Sequence, residues 1–302
     1  MSTSIDIVSI LTIILVLVDD WYKSKGHALM KGKAGAKPIF SDSEVMSLML
    51  AQDFIPYPGE TQYLGYIRAN YLREFPKLVD QSQYNRRARG LRPMVELLRR
   101  EWLTQLGVGD PKQLLIDTKP IPVMGYKRSK SHSDFAGSAA YGHCAARKLN
   151  YFGYKLVMLT TVEGMPLVYD LVHANTDERA AAEVVLQRVS DCDILGDKGF
   201  IGDDWQAQVR QQTGNRVWTM KRANQACPNP PEFDQLLGSV REHIEGTFHC
   251  LQNTGRNIER LLAKTIPGLA TRVTLKVTGL VLKQLLRRHF AIDVQSFQLV
   301  TD

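Results

Sequence analysis

The chain is short of cysteine, of long apolar runs and of acid relative to base, and each shortage excludes a class of protein. Its four cysteines, Cys144, Cys192, Cys227 and Cys250, form no Cys-x-x-Cys pair. That spacing implies neither a disulfide framework nor a structural zinc site, and the thiols read as reduced and cytoplasmic. His143-Cys144 and His249-Cys250 are adjacent pairs without metal-ligand spacing to one another. The apolar run from Ile5 to Val18 is interrupted by Asp6 and falls short of the roughly 20 residues that a membrane span requires. No positive charge precedes it, as a signal peptide would need. A buried N-terminal helix ending near Asp19-Asp20 is expected instead, and no membrane partner.

A chain of 302 residues with 44% hydrophobic content can build one full core and a smaller satellite domain. Its 38 basic side chains outnumber 31 acidic ones for a net charge of +7, which favours an anionic partner. Residues 1–110 read as helical. Lys23 to Lys37 is a Gly/Lys-rich connector, and Ser41 with Glu44 has the form of a capping box. Further helices are expected over Thr61 to Tyr71 and Tyr84 to Leu106, the latter interrupted near Pro93. Arg86, Arg87, Arg89 and Arg92 lie within nine residues that carry no acid, a spacing suited to DNA phosphates or to a solvated helix face. The flanking helices suit a helix-turn-helix-like module, so residues 1–110 are expected to bind DNA and to dimerise.

Residues 111–302 change to a strand-rich pattern. Strands are expected at Gln113 to Ile116, Leu149 to Val162, Met165 to Val172, Asp193 to Leu195 and Arg216 to Met220. Helices are expected over Asp177 to Val189, Asp203 to Gln212, Leu237 to Gln252 and Thr274 to Phe290. This order describes an α/β domain with a mixed sheet of the ribonuclease-H-like kind, with acids at the ends of its first and fourth strands.

Those acids are Asp117, after Leu114-Leu115-Ile116, and Asp197, after Ile194-Leu195-Gly196. Each is followed by a lysine, Lys119 and Lys198, able to neutralise a phosphate. Carboxylates at neighbouring strand ends repel unless a cation sits between them. The third acid follows from helix geometry. Leu237, Val240, Ile244, Phe248 and Leu251 form one apolar stripe. Glu245 borders it, while Glu242 lies further toward solvent. Arg241 stands one turn before Glu245, either as its ion-pair partner or as a phosphate contact.

Asp117-Thr118-Lys119-Pro120, Gly153-Tyr154-Lys155-Leu156, Gly196-Asp197-Lys198-Gly199-Phe200 and Arg241-x-x-Ile244-Glu245-x-x-Phe248 together resemble bacterial insertion-sequence transposases of the DDE type, most closely the insertion sequence 982 family. The likeness spans about residues 40 to 285. It implies a ribonuclease-H-like catalytic domain and two Mg²⁺ (or Mn²⁺) ions per active site, held by Asp117, Asp197 and Glu245. It further implies double-stranded DNA partners, both terminal repeats and target, and a homodimer on DNA. One departure is that Gly238 and Gln252 stand where related transposases often carry Tyr and Lys.

Basic residues are expected to rim the site: Lys127 and Arg128 after the first strand, Lys221 and Arg222 after the last, and Arg241 on the glutamate helix. Between Arg241 and His289, six Arg and three Lys face only three Glu. The competing readings are a metal-dependent nuclease that does not join strands and a DNA-binding regulator without chemistry.

Overall fold

The computed structural model describes residues 5–29, 38–55, 57–126, 132–220, 229–292 and 294. Lys127, Arg128, Lys221, Arg222, Cys227 and most of the expected connector lie outside them. The chain divides into two compact units, residues 1–107 with 251–302, and residues 108–250. The C-terminal residues thus cluster with the N-terminal helices, whereas the pattern of the sequence suggested a single boundary near residue 110.

The first unit is helical. Helix α1 (Ile7–Trp21) is capped by Asp6, whose side chain accepts from the Ser9 N–H. A π-helical turn, Tyr22–Gly26, and a single turn, α2 (His27–Leu29), follow where a loop was expected. The chain stays wound there because Gly26 lies under Trp21 and against Met94, where a side chain would collide. Helix α3 (Asp42–Ala51) begins at the expected capping box, with Glu44 N–H on Ser41 Oγ at 3.1 Å and Ser41 N–H on Glu44 Oε2 at 2.6 Å. Helix α4 covers Glu60–Asn70.

Helix α5 (Gln81–Gln105) runs straight through Pro93. Its buried face of Tyr84, Leu91, Met94, Val95, Leu98 and Trp102 packs on α3 and on α9 (Ile266–Phe290). That apolar seam outweighs the roughly 3 kcal/mol that an interior proline costs a helix. No helix among the described residues is long and apolar enough to cross a membrane.

The second unit is built on one mixed sheet of six strands: β1 (Gln113–Met124), β2 (Ala140–Cys144), β3 (Leu149–Thr161), β4 (Pro166–His173), β5 (Asp193–Gly196) and β6 (Arg216–Thr219). β3 is central. One of its edges pairs antiparallel with β1, and the other carries β4 and then β2. β1 continues into β5 and β6 through parallel pairs. Two features differ from the sequence reading. β2 is an additional strand, and β1 does not end at Ile116 but continues through Asp117 to Met124. Beyond Leu115 the β5 side of β1 is unpaired, so Pro120 and Pro122 stand there without breaking a central ladder.

Helices α6 (Glu178–Leu186) and α7 (Asp203–Thr213) pack on one face of the sheet. Leu114, Ile116, Val157, Leu159 and Ile194 meet Ala181, Val185, Trp205 and Val209 there. The cap of α6 is Asp177, the residue at which the helix was expected to begin. Asn215, fully buried, ties the end of α6 to the start of β6. Its Nδ2 donates to the Leu186 and Val189 carbonyls at 3.0 Å, and its Oδ1 accepts from Cys192 N–H at 3.0 Å.

On the other face lies α8 (Pro231–Asn253), whose Phe248 ring meets the Lys119 ammonium at 5.8 Å. Its position along the sheet is set at the β3–β4 turn. His243 Nδ1 donates to the Val162 carbonyl, and Thr247 Oγ1 donates to the Gly164 carbonyl at 2.7 Å. Gly164 has φ +81°, and a Cβ there would lie 2.6 Å from Thr247 Oγ1. The turn therefore needs glycine both for its left-handed backbone and for the approach of α8. Gly164→Ala is expected to destabilise this unit by about 1–2 kcal/mol from the backbone alone. Urea denaturation checks this, and an unchanged midpoint would show that α8 does not depend on the turn.

Candidate active site

The parallel pairing of β1 with β5 governs the site. Gln113 pairs with Asp193, Leu114 with Ile194 and Leu115 with Leu195. Continued by two residues, this register sets Asp117 level with Asp197. Side chains alternate along a strand, and Leu114, Ile116 and Ile194 point into the core under α6 and α7. Leu115 and Asp117 therefore project from the face that bears α8. Gly196 lets the strand end closely packed, since a Cβ would lie 2.8 Å from the Phe200 ring and 2.9 Å from Ile116. Asp197 then caps a single 3₁₀ turn, Lys198–Phe200, accepting from Gly199 N–H at 2.8 Å.

The two aspartates lie close enough to feel each other's charge. Burial pushes the Asp117 carboxyl up to about 7. The Asp197 and Glu178 charges push in the same direction, while the Thr118 N–H and the Arg241 guanidinium oppose them. A desolvated carboxylate beside a second one is costly unless a cation compensates. Two carboxylates with little else to neutralise them form the donor chemistry of a hard divalent cation. The Asp117–Asp197 pair fits that demand.

Glu245 stands differently. It is exposed and pairs with Arg241, Oε1 to Nη2, at 3.0 Å. Among the described residues no three His, Cys, Asp or Glu side chains come together to hold a metal ion. Arg241 supplies positive charge to Asp117, binds Glu245, and has an Nε that is buried without a hydrogen-bond partner. Glu242 is exposed as well.

Glu178 and Lys155 complete the surroundings. Glu178, in the first turn of α6, accepts from Thr118 Oγ1 at 2.9 Å and from Lys155 Nζ at 2.9 Å. Lys155 also donates to the Thr176 carbonyl at 2.7 Å. This chain ties β1, β3 and α6 together beside Asp117, and Gly199 packs between Asp197 and Glu178. In the sequence Glu178 stands only as an acid at the start of the helix expected from Asp177. The visible signal was Lys155 within Gly153-Tyr154-Lys155-Leu156, a basic residue inside an otherwise apolar strand.

The expected DNA contacts divide into three settings. Lys198, Arg86 and Arg89 are exposed. Lys119 is only 9% exposed and lies against Phe248 under α8. Arg87 is half-buried, donating to Asp42 at 2.7 Å and to the Phe40 carbonyl at 2.5 Å. Lys127, Arg128, Lys221 and Arg222 lie outside the described residues.

A family model described as a transposase DDE domain matches residues 109–282. No curated protein matches the sequence. Two solved structures that resemble the chain are a Mos1 transposase paired-end complex with the left transposon end and the Mos1 strand transfer complex. The first is 14% identical with a TM-score of 0.23, covering 81% of this chain and 85% of that one. The second is 16% identical with a TM-score of 0.26, covering 88% and 84%.

A carboxyl raised from an ordinary 3.8 to about 7 on folding binds its proton more tightly in the folded state. The metal-free protein should therefore lose stability as pH rises from about 4 to about 7, and remain at the lower value above it. Asp117→Asn is expected to raise stability in EDTA at pH 8 by on the order of 2–4 kcal/mol, and to change it little at pH 4. Thermal melts at both pH values check this. An equal effect at the two would disconnect Asp117 from the charge conflict.

Proposed function

The chain belongs to the transposase DDE domain family, and from that premise we propose that it cleaves transposon ends and joins the freed 3′-hydroxyl to target DNA. The observation that carries this reading is that Asp117 and Asp197 follow the parallel-paired strands β1 and β5 and lie within reach of each other's charge, with the buried Asp117 held in a conflict that a divalent cation would relieve. The strand order β4-β3-β1-β5-β6, with antiparallel β3 and parallel β5 flanking β1, supports a ribonuclease-H-like catalytic unit. The ordered motif set supports an insertion-sequence element of the 982 type.

In this reading Asp117, Asp197 and Glu245 hold two Mg²⁺ or Mn²⁺ ions. Such ions, when bound, lower the pKa of an attacking water or 3′-hydroxyl and stabilise the leaving oxygen. Glu245 joins the aspartates by exchanging its ion pair with Arg241. Arg241, released, turns its donors to a DNA phosphate beside the site. Its unpartnered Nε supports that role, since a buried guanidinium nitrogen without an acceptor favours an incoming oxyanion. Lys155 and Glu178 hold β1, β3 and α6 in position and do not contact the reacting atoms.

Exposed Lys198 lies at the mouth beside Asp197. Arg86 and Arg89, exposed on α5, offer further phosphate contacts within the helical unit, which serves in DNA binding and dimerisation. Two copies on DNA would hold two element ends together.

The test is a cleavage-and-joining assay with the full chain, terminal-repeat duplex and plasmid target. Asp117→Asn, Asp197→Asn and Glu245→Gln are each expected to lower the rate at least about 10²-fold, the loss of several kcal/mol of charge stabilisation, with Glu242→Gln near wild type. EDTA should abolish activity. Cleavage without joining of a precut 3′-hydroxyl would reduce the protein to a nuclease, and DNA binding with no metal-dependent nicking would reduce it to a regulator.

A further inference from the structure

The helical unit buries more positive charge than it neutralises. Asp53 is fully buried where α3 ends, and three cations converge on it. Lys276 Nζ lies 3.1 and 3.2 Å from its two oxygens, Lys283 Nζ lies 3.2 Å from Oδ2, and Arg256 donates its backbone N–H at 3.1 Å. Gly255 and Gly279 allow the close approach, since a Cβ at either would lie within 3 Å of Asp53. Nearby, Arg272 faces Glu60 at 3.8 Å. Four cationic side chains (Arg256, Arg272, Lys276, Lys283), none more than 16% exposed, thus meet two acids, Asp53 and Glu60. Among these described residues four cations share two acids in a desolvated setting, a balance that favours an anion.

The structure offers a place for one. A cleft of about 20 Å³ is lined by residues that include Tyr84, Arg89, Arg256, Gly268 and Arg272, and also by Glu60, whose carboxylate is occupied by Arg272, Gln81 and Asn85. Two of its lining groups are buried polar atoms without a partner. Arg256 gives Nη1 to Gln52 at 3.0 Å, but its Nη2 is unpartnered, and so is the Tyr84 hydroxyl. Arg256 is 4% exposed and Tyr84 1%. Gly268 belongs to the first turn of the long helix α9, whose positive end faces the same cleft. Arg89 is exposed at the rim, and Arg86 lies one turn away on α5. That volume admits about one oxygen-sized atom. A larger anion would keep the rest of its bulk at the open mouth, beside Arg89.

We propose that this cleft seats a backbone phosphate of duplex DNA, with one non-bridging oxygen entering to meet Arg256 Nη2 and the Tyr84 hydroxyl while Arg89 holds the phosphate from the rim. The proposal rests on the reading that the protein acts on DNA. It adds a site in the helical unit, built from α5, α9 and the turn before Arg256, that is separate from the acidic centre. The seat reads charge and shape, so it is sequence-independent and positions the duplex.

The test measures equilibrium binding of the full chain to a generic duplex by fluorescence anisotropy in EDTA, so that cleavage plays no part. The variants are Arg89→Gln, on the surface, and Tyr84→Phe, which keeps the buried ring. Each is expected to weaken binding about threefold to tenfold. Arg89→Gln should also lower the slope of log affinity against log salt by about one, and Tyr84→Phe should leave it unchanged. Wild-type affinity in both variants overturns the seat while leaving the transposase reading intact. A second arm follows thermal stability in inorganic phosphate. Stabilisation that Tyr84→Phe removes, in a wild-type protein that binds no duplex, overturns the nucleic-acid occupant in favour of a free anion, and overturns the DNA reading with it.

Discussion

The parallel pairing of β1 with β5 is the constraint on which the α/β unit depends. Three register pairs, from Gln113–Asp193 to Leu115–Leu195, set two distant stretches side by side and level. Strand alternation then does the sorting. Leu114, Ile116 and Ile194 enter the core beneath α6 and α7, and Asp117 faces α8. A slip of one residue would bury a carboxylate among leucines and turn a leucine to the site. The same packing that stabilises the unit therefore creates the charge conflict at Asp117.

Around this conflict the protein arranges its remaining charges economically. Arg241 sits on α8, pairs with Glu245 and offsets the Asp117 charge. Glu178 adds negative charge near Asp117 but is held by Lys155 and Thr118. The position of α8 depends on the β3–β4 turn, through His243, Thr247 and Gly164. Residues well removed from the aspartates thus fix where α8, which carries Arg241 and Glu245, lies along the sheet.

Charge is handled in the opposite sense in the helical unit. There the excess is positive, gathered on Asp53 by Lys276, Lys283 and Arg256. The acidic centre favours a cation and the helical cleft an anion. On the proposed reading, in which a polyanion is cut at a metal-dependent site, the two imbalances are complementary.

Periodicity and local chemistry specify much of this architecture. The capping box at Ser41, the apolar stripe of α8, the strand before Asp197 and the order of the α/β elements are all local signals, set by side chains a few residues apart. Other features depend on partners far along the chain. β1 runs past Asp117 because its prolines fall where β5 no longer pairs. Helix α5 survives Pro93 because its apolar face packs on α9. Lys119 reads as a phosphate ligand in isolation and turns out to lie beneath Phe248. Glu178 looks like an ordinary helix-start acid until Lys155 and Thr118 reach it. The sequence by itself determined which acids stand after apolar strands and which helix face carries Glu245, because those follow from bonded geometry. Tertiary structure alone decided that Asp117 and Asp197 feel each other's charge, that Arg241 pairs with Glu245, and that four buried cations around Arg256 share two acids, because electrostatic energy depends on distances that only the folded chain defines.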